Sequence, residues 1–133
     1  MHLFRVFAAG AATLFLTACG HALPKIEGFD DAAWRSDPYA CQNKRAAQLP
    51  ALNRYRDQLY GARIASIDNL LGRPDEEELS AQTEKTYYYY VEPGTQCEPS
   101  HQRSSANKIT LRFGPLGVVT EVLYERPLAV PAS

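Results

Sequence analysis

Thr86-Tyr87-Tyr88-Tyr89-Tyr90-Val91 and Lys108-Ile109-Thr110-Leu111-Arg112-Phe113 are the two stretches that decide the fold. The first is β-branched and aromatic throughout, and alternates Tyr87, Tyr89 and Val91 against Tyr88 and Tyr90. The second sets Ile109, Leu111 and Phe113 against Lys108, Thr110 and Arg112. A period of two is the mark of strands with one face buried. After the second stretch, Gly114-Pro115-Leu116-Gly117 makes a tight connection into a further strand over 118–124, and residues 77–81 form a weaker partner strand. The polar gap from Glu92 to Asn107 carries Pro93, Gly94, Cys97 and Pro99, and is long enough to be mobile unless Cys97 pins it.

Upstream the period lengthens. Ile64, Ile67 and Leu71 form the apolar stripe of a helix that opens after Gly61. Gly72 is expected as its left-handed cap, and Pro74 stops continuation. Cys41, Arg45, Leu49, Leu52, Arg56 and Leu59 recur at three and four residues, which predicts a helix from Pro38 to Tyr60 with Asp37 as its N-cap. That pattern puts Cys41 on the inner face. Pro50 removes a backbone donor, so a kink or break is expected near it. Phe29, Ala33 and Trp34 predict a short helical turn that packs the only Trp. The expected fold is α+β: two N-terminal helices packed on one face of a three- to four-stranded antiparallel sheet.

The N-terminus has its own grammar. Arg5 is followed by an apolar run, Val6 to Leu16, broken only by Gly10 and Thr13. It is shorter than the roughly 20 residues that span a bilayer and suits a secretory signal. Its end, Leu16-Thr17-Ala18-Cys19-Gly20, has the form of a lipobox: Leu, two small residues, the Cys to be lipidated, then a small residue. Cleavage before Cys19 and acylation there would hold the protein to a membrane, since stable anchoring needs more than one lipid signal. An ordinary signal peptide ending near a chance Cys is the alternative. The chain then divides into a lipoprotein signal peptide (1–18), a lipidated tether (19–28), one domain (29–124) and a flexible tail (125–133).

Cysteine usage follows from this. Of three Cys, the anchor takes Cys19, leaving Cys41 and Cys97 as an even pair in an oxidising compartment, where a disulfide is expected. Two reduced thiols are the alternative. The chain has 14 basic and 15 acidic residues; segment 1–18 contains only Arg5, so the remainder has 13 and 15, a net charge of −2. That balance supports neither nucleic-acid binding nor a polybasic membrane patch.

Several segments together resemble the SmpA/OmlA (BamE-like) family of small outer-membrane lipoproteins. They are Tyr60-Gly61-Ala62-Arg63-Ile64-Ala65-Ser66-Ile67, Leu70-Leu71-Gly72-Arg73-Pro74-Asp75, Tyr88-Tyr89-Tyr90-Val91, Ile109 to Phe113, and Gly117 to Val122. Residues 60–124 and the lipobox carry the likeness. The resemblance implies a two-layer α+β fold and an accessory part in outer-membrane β-barrel assembly or integrity. The helix from Pro38, the Cys41/Cys97 pair and the tyrosine run stand outside the family pattern.

Chemistry-bearing motifs are few. His21 lies in the tether and reads as solvated. His101 stands in a loop without neighbours at metal-ligand spacing. No phosphate loop, nucleophile elbow or paired helical histidines occur, so neither enzyme, cofactor nor metal is expected. Asp75-Glu76-Glu77-Glu78 reads as a solvated surface turn. What remains is aromatic: the sheet's helical layer covers one set of tyrosines, leaving Tyr88 and Tyr90 as candidate binding residues if Tyr87, Tyr89 and Val91 face the core, with the reverse facing as the alternative. The expected function is a non-enzymatic protein–protein adaptor, anchored by lipid in the cell envelope with an envelope protein as partner. Gly20 lacks the Asp that retains enterobacterial lipoproteins at the inner membrane, so the outer membrane, facing the periplasm, is the expected site. A small periplasmic ligand-binding or inhibitor module, using the tyrosines and the 92–107 loop, is the alternative.

Overall fold

The computed structural model describes Gly10, residues 20–80 and residues 82–124. The expected signal peptide, Cys19 and the tail from 125 lie outside the described residues, apart from Gly10. The fold is α+β, with an open four-stranded antiparallel sheet in the order β1-β2-β3-β4. The strands are β1 (Glu76–Leu79), β2 (Lys85–Tyr90), β3 (Lys108–Phe113) and β4 (Val119–Tyr124). Four short helices precede them: α1 (Asp31–Arg35), α2 (Leu49–Arg54), α3 (Arg56–Leu59) and α4 (Ile64–Leu71).

Residues directly opposite in antiparallel strands project to the same side, so the register assigns the faces. Tyr87 pairs with Leu111, and Leu111 with Val122; Tyr89 pairs with Ile109. These residues share one buried cluster with Trp34, Leu52, Leu59, Ile67 and Leu71 from the helices. The opposite face carries Glu76, Tyr88, Thr110 and Leu123 in one row, and Glu78, Thr86, Arg112 and Glu121 in the next.

Helix α1 forms where Phe29, Ala33 and Trp34 place it. Asp30 caps it, its carboxylate accepting from the Ala33 amide at 3.0 Å, and Trp34 is fully buried. The single helix expected from Pro38 to Tyr60 is instead two 3₁₀ turns, Pro38–Ala40 and Ala46–Gln48, followed by α2 and α3. The reason is local competition. Asp37 does not cap a helix: its buried carboxylate captures the amides of Gln42 (2.7 Å) and Lys44 (2.8 Å). An Asp that bonds nearby backbone in this way offers the chain an alternative to helix. Tyr39, Ala40 and Asn43 accordingly take positive φ values of 60°, 59° and 55°. The break expected near Pro50 falls between Gln48 and Leu49, and Pro50 sits in the first turn of α2, where its missing N–H is tolerated. Leu49, Leu52 and Leu59 are buried as their spacing implied, but Cys41 is exposed and does not face inward.

Helix α4 ends at Gly72 as expected, though not in the left-handed helical region. Its φ of 75° and ψ of −169° belong to a region that essentially only Gly occupies.

Residues 20–28 are also not a free tether. The His21 amide donates to Gly61 O and its carbonyl accepts from the Arg63 amide, both at 3.1 Å. The Nε2–H of His21 donates to Gln58 O at 2.8 Å, and Ile26 is buried in the main cluster. The ordered chain therefore begins ahead of Phe29.

Candidate functional site

The tyrosine run is where the sequence placed binding, and it lies at the centre of the sheet. Tyr87 and Tyr89 face the main core. Burial pushes the Tyr87 phenol up to about 12, with the negative charges of Asp68 and Glu77 adding to it. Tyr89 is raised further by burial, and its hydroxyl donates to Gly72 O at 2.9 Å.

Tyr90 does not face solvent. It is fully buried in a second cluster with Ala40 and Ala106, against which Tyr39 packs. The 92–107 segment folds back over this end of the sheet and covers it. Ser104 donates its amide to the Tyr90 hydroxyl at 3.0 Å, and that hydroxyl donates to Glu76 Oε1 at 2.7 Å. Tyr88 is half-buried. Its hydroxyl donates to Glu78 Oε2 at 3.0 Å, while the Arg103 guanidinium and the Lys108 ammonium lie 4.9 and 5.9 Å from its ring centre. Lys108 is buried, against the alternation that set it with solvent, and sits 5.4 Å from the Tyr90 ring. Cations over phenol faces contribute about 0.5–2 kcal/mol each, according to exposure.

A covalent clamp fixes this arrangement. Cys41 and Cys97 are bridged by a disulfide across 56 positions of sequence. Gln96, fully buried beside it, donates to the carbonyls of Tyr39 (3.0 Å) and Glu92 (2.8 Å) and accepts from the Ser104 hydroxyl. His101 stacks on Tyr39 with ring centroids 4.2 Å apart and planes within 12°. Its Nδ1 lies 2.9 Å from Gln96 O; a carbonyl only accepts, so Nδ1 carries the proton. Residues 92–107 are thus a folded lobe and not a mobile loop.

The acidic run is also not a solvated turn. Asp75 is a buried anchor: one carboxylate oxygen accepts the Tyr39 amide at 2.9 Å, and the other accepts the Tyr90 amide at 2.8 Å and Arg45 Nη1 at 2.6 Å. Arg45 continues to the carbonyls of Tyr90 (3.0 Å) and Trp34 (3.2 Å) and lies 5.0 Å from the Trp34 ring centre. Glu76, Glu77 and Glu78 form most of β1. Arg103 bridges Glu76 and Glu78, and holds the Glu78 carboxyl below its ordinary range. The sole signal of this role in the sequence was that Arg45, like Arg56, is a charge on an otherwise apolar face.

Among the described residues, no group of three or more His, Cys, Asp and Glu is placed to hold a metal ion. No described helix is long and apolar enough to cross a membrane. With Tyr90 enclosed, the open part of the outer sheet face is Thr86, Thr110, half of Tyr88 and Leu123, which is 44% exposed on edge strand β4, together with Glu78 and the Arg112–Glu121 ion pair. No protein-family model, curated protein or solved structure matches the chain.

Proposed function

We propose that this protein is a non-enzymatic cell-envelope lipoprotein, anchored through acylated Cys19, which acts as a protein–protein adaptor. The observation that carries the reading is the fate of the cysteines. The lipobox takes Cys19, and the other two close a disulfide, a bond that persists in oxidising compartments outside the cytosol. We place it at the outer membrane facing the periplasm, as a relative of the SmpA/OmlA family with helices layered on one sheet face. The partner surface is the outer sheet face around Tyr88 and Leu123, bounded by edge strand β4. Tyrosine and leucine on a half-open sheet suit a protein partner, since aromatic anchors dominate such contacts.

Photo-crosslinking in cells from positions 88 and 123 tests the adaptor role. One dominant envelope protein captured from both positions supports it. Absence of any protein adduct from folded, lipidated protein overturns it and favours the ligand-binding alternative.

A further inference from the structure

The segment behind the expected anchor is seated on the domain, and that seat has a particular location. Gly20 has φ +88°, and a Cβ there would lie 2.5 Å from Val118 Cγ1, 2.7 Å from Arg63 Cγ and 2.9 Å from Gly61 O. Position 20 therefore admits only glycine while the chain is docked. The next residue locks the seat through the three His21 hydrogen bonds to Gln58, Gly61 and Arg63. Two exposed apolar side chains adjoin the residues that hold it. Leu116, at the tip of the β3–β4 turn two residues from Val118, is 72% exposed, and Tyr60, adjoining Gly61, is 37% exposed. The turn itself is held, because Gly117 O accepts the Ile64 amide at 3.0 Å and Gly114 bonds Val118.

Cys19 is one peptide unit from Gly20, about 3.8 Å between Cα atoms. A free linker of nine residues would let the domain wander by roughly 15–18 Å. The docked strap leaves almost none of that freedom. We propose that the β3–β4 turn with Leu116, together with Tyr60, is a membrane-contacting surface that seats the domain directly on the phospholipid bilayer beside its own anchor. This rests on the acylation of Cys19. Given acyl chains entering the bilayer at that residue, the surface around Gly20 lies at the headgroups. An exposed Leu and an amphipathic Tyr are side chains suited to that zone. The orientation also has a consequence: the sheet is presented to partners at a fixed angle.

The test uses lipidated protein extracted from membranes and reconstituted into phosphatidylethanolamine/phosphatidylglycerol vesicles with brominated acyl chains. Leu116→Trp provides the probe, and Thr95→Trp, exposed in the 92–107 lobe beyond the opposite end of β2, provides the control. Both are read against the parent, whose Trp34 is buried. The expected result is blue-shifted, bromine-quenched emission from position 116 and none from 95. Gly20→Ala, which unseats the strap, is expected to abolish the quenching at 116 while the protein stays vesicle-bound. Equal quenching at both positions, or none at 116 in protein whose intact mass shows acylated Cys19, overturns the seating alone. An intact mass without acyl chains overturns both the seating and the lipoprotein reading.

Discussion

Arg45 and Asp75 form a buried ion pair, with Nη1 and Oδ2 2.6 Å apart and side chains 2% and 3% exposed. Between them they bond backbone of Trp34, Tyr39 and Tyr90, and so tie α1, the first 3₁₀ turn and β2 to one another. Burying two charges is expensive, and their mutual attraction offsets the cost only when their remaining donors and acceptors are also bonded. Here the backbone partners do that. Removing one member strands the other, so Arg45→Met is expected to cost roughly 3–5 kcal/mol, read as a lowered urea midpoint. The double variant Arg45→Met/Asp75→Leu should lose less than the two single losses combined. Strict additivity would contradict the pairing.

The disulfide supports the same end of the molecule. Reduction, or Cys41→Ala with Cys97→Ala, is expected to lower stability by on the order of 2–4 kcal/mol. Because the bridge fixes 92–107 over Tyr90, hydrogen exchange should accelerate first at the Ser104 amide, bonded to the Tyr90 hydroxyl, and the Ala106 amide, bonded to the Ser104 hydroxyl. Uniform acceleration across the sheet would contradict a local clamp.

Alkaline titration reads the tyrosines directly. The Tyr87 phenol is pushed up to about 12 by burial and neighbouring carboxylates, against about 10 in an unfolded chain. A folded value above the unfolded one means that the fold favours the protonated phenol. That contribution is complete below about pH 10 and is lost as pH rises toward 12. Phenolate absorbance should therefore lag behind that of urea-unfolded protein over this interval. Tyr87→Phe should shrink the lag. Coincident curves would contradict the buried placement.

Gly72 ends α4 in a backbone region closed to other residues, and a Cβ there would stand 3.0 Å from Arg35 Cγ. Gly72→Ala is expected to cost about 1–3 kcal/mol by thermal melting. Gly117→Ala, also at positive φ but in open space, should cost less. Equal costs would point to backbone strain alone, without the crowding at Arg35.

Much of the sheet was legible because its signals are local. Alternation in 108–113 placed β3 at its observed ends, and the Gly-Pro-Leu-Gly turn set β4 against it. The alternation of the tyrosines was legible, but the enclosure of Tyr90 was not, since what covers it is a lobe whose fold depends on a disulfide and on Gln96, with no periodicity to reveal either. The same holds for Asp75. Within a run of four acids nothing local separates one buried carboxylate from three strand residues; only a cation brought from 30 positions away does. The segment from Pro38 misled for a different reason. Its three- and four-residue spacing records burial, and Asp37 reaches that burial through turns with positive φ instead of a helix.

Intact mass spectrometry of the protein extracted from membranes, without reductant, tests the central claim most directly. The account predicts a chain that begins at Cys19, carries a diacylglycerol with or without a further acyl group, and gains two hydrogens on reduction as the Cys41–Cys97 bridge opens. A full-length, unacylated chain with three free thiols would contradict it.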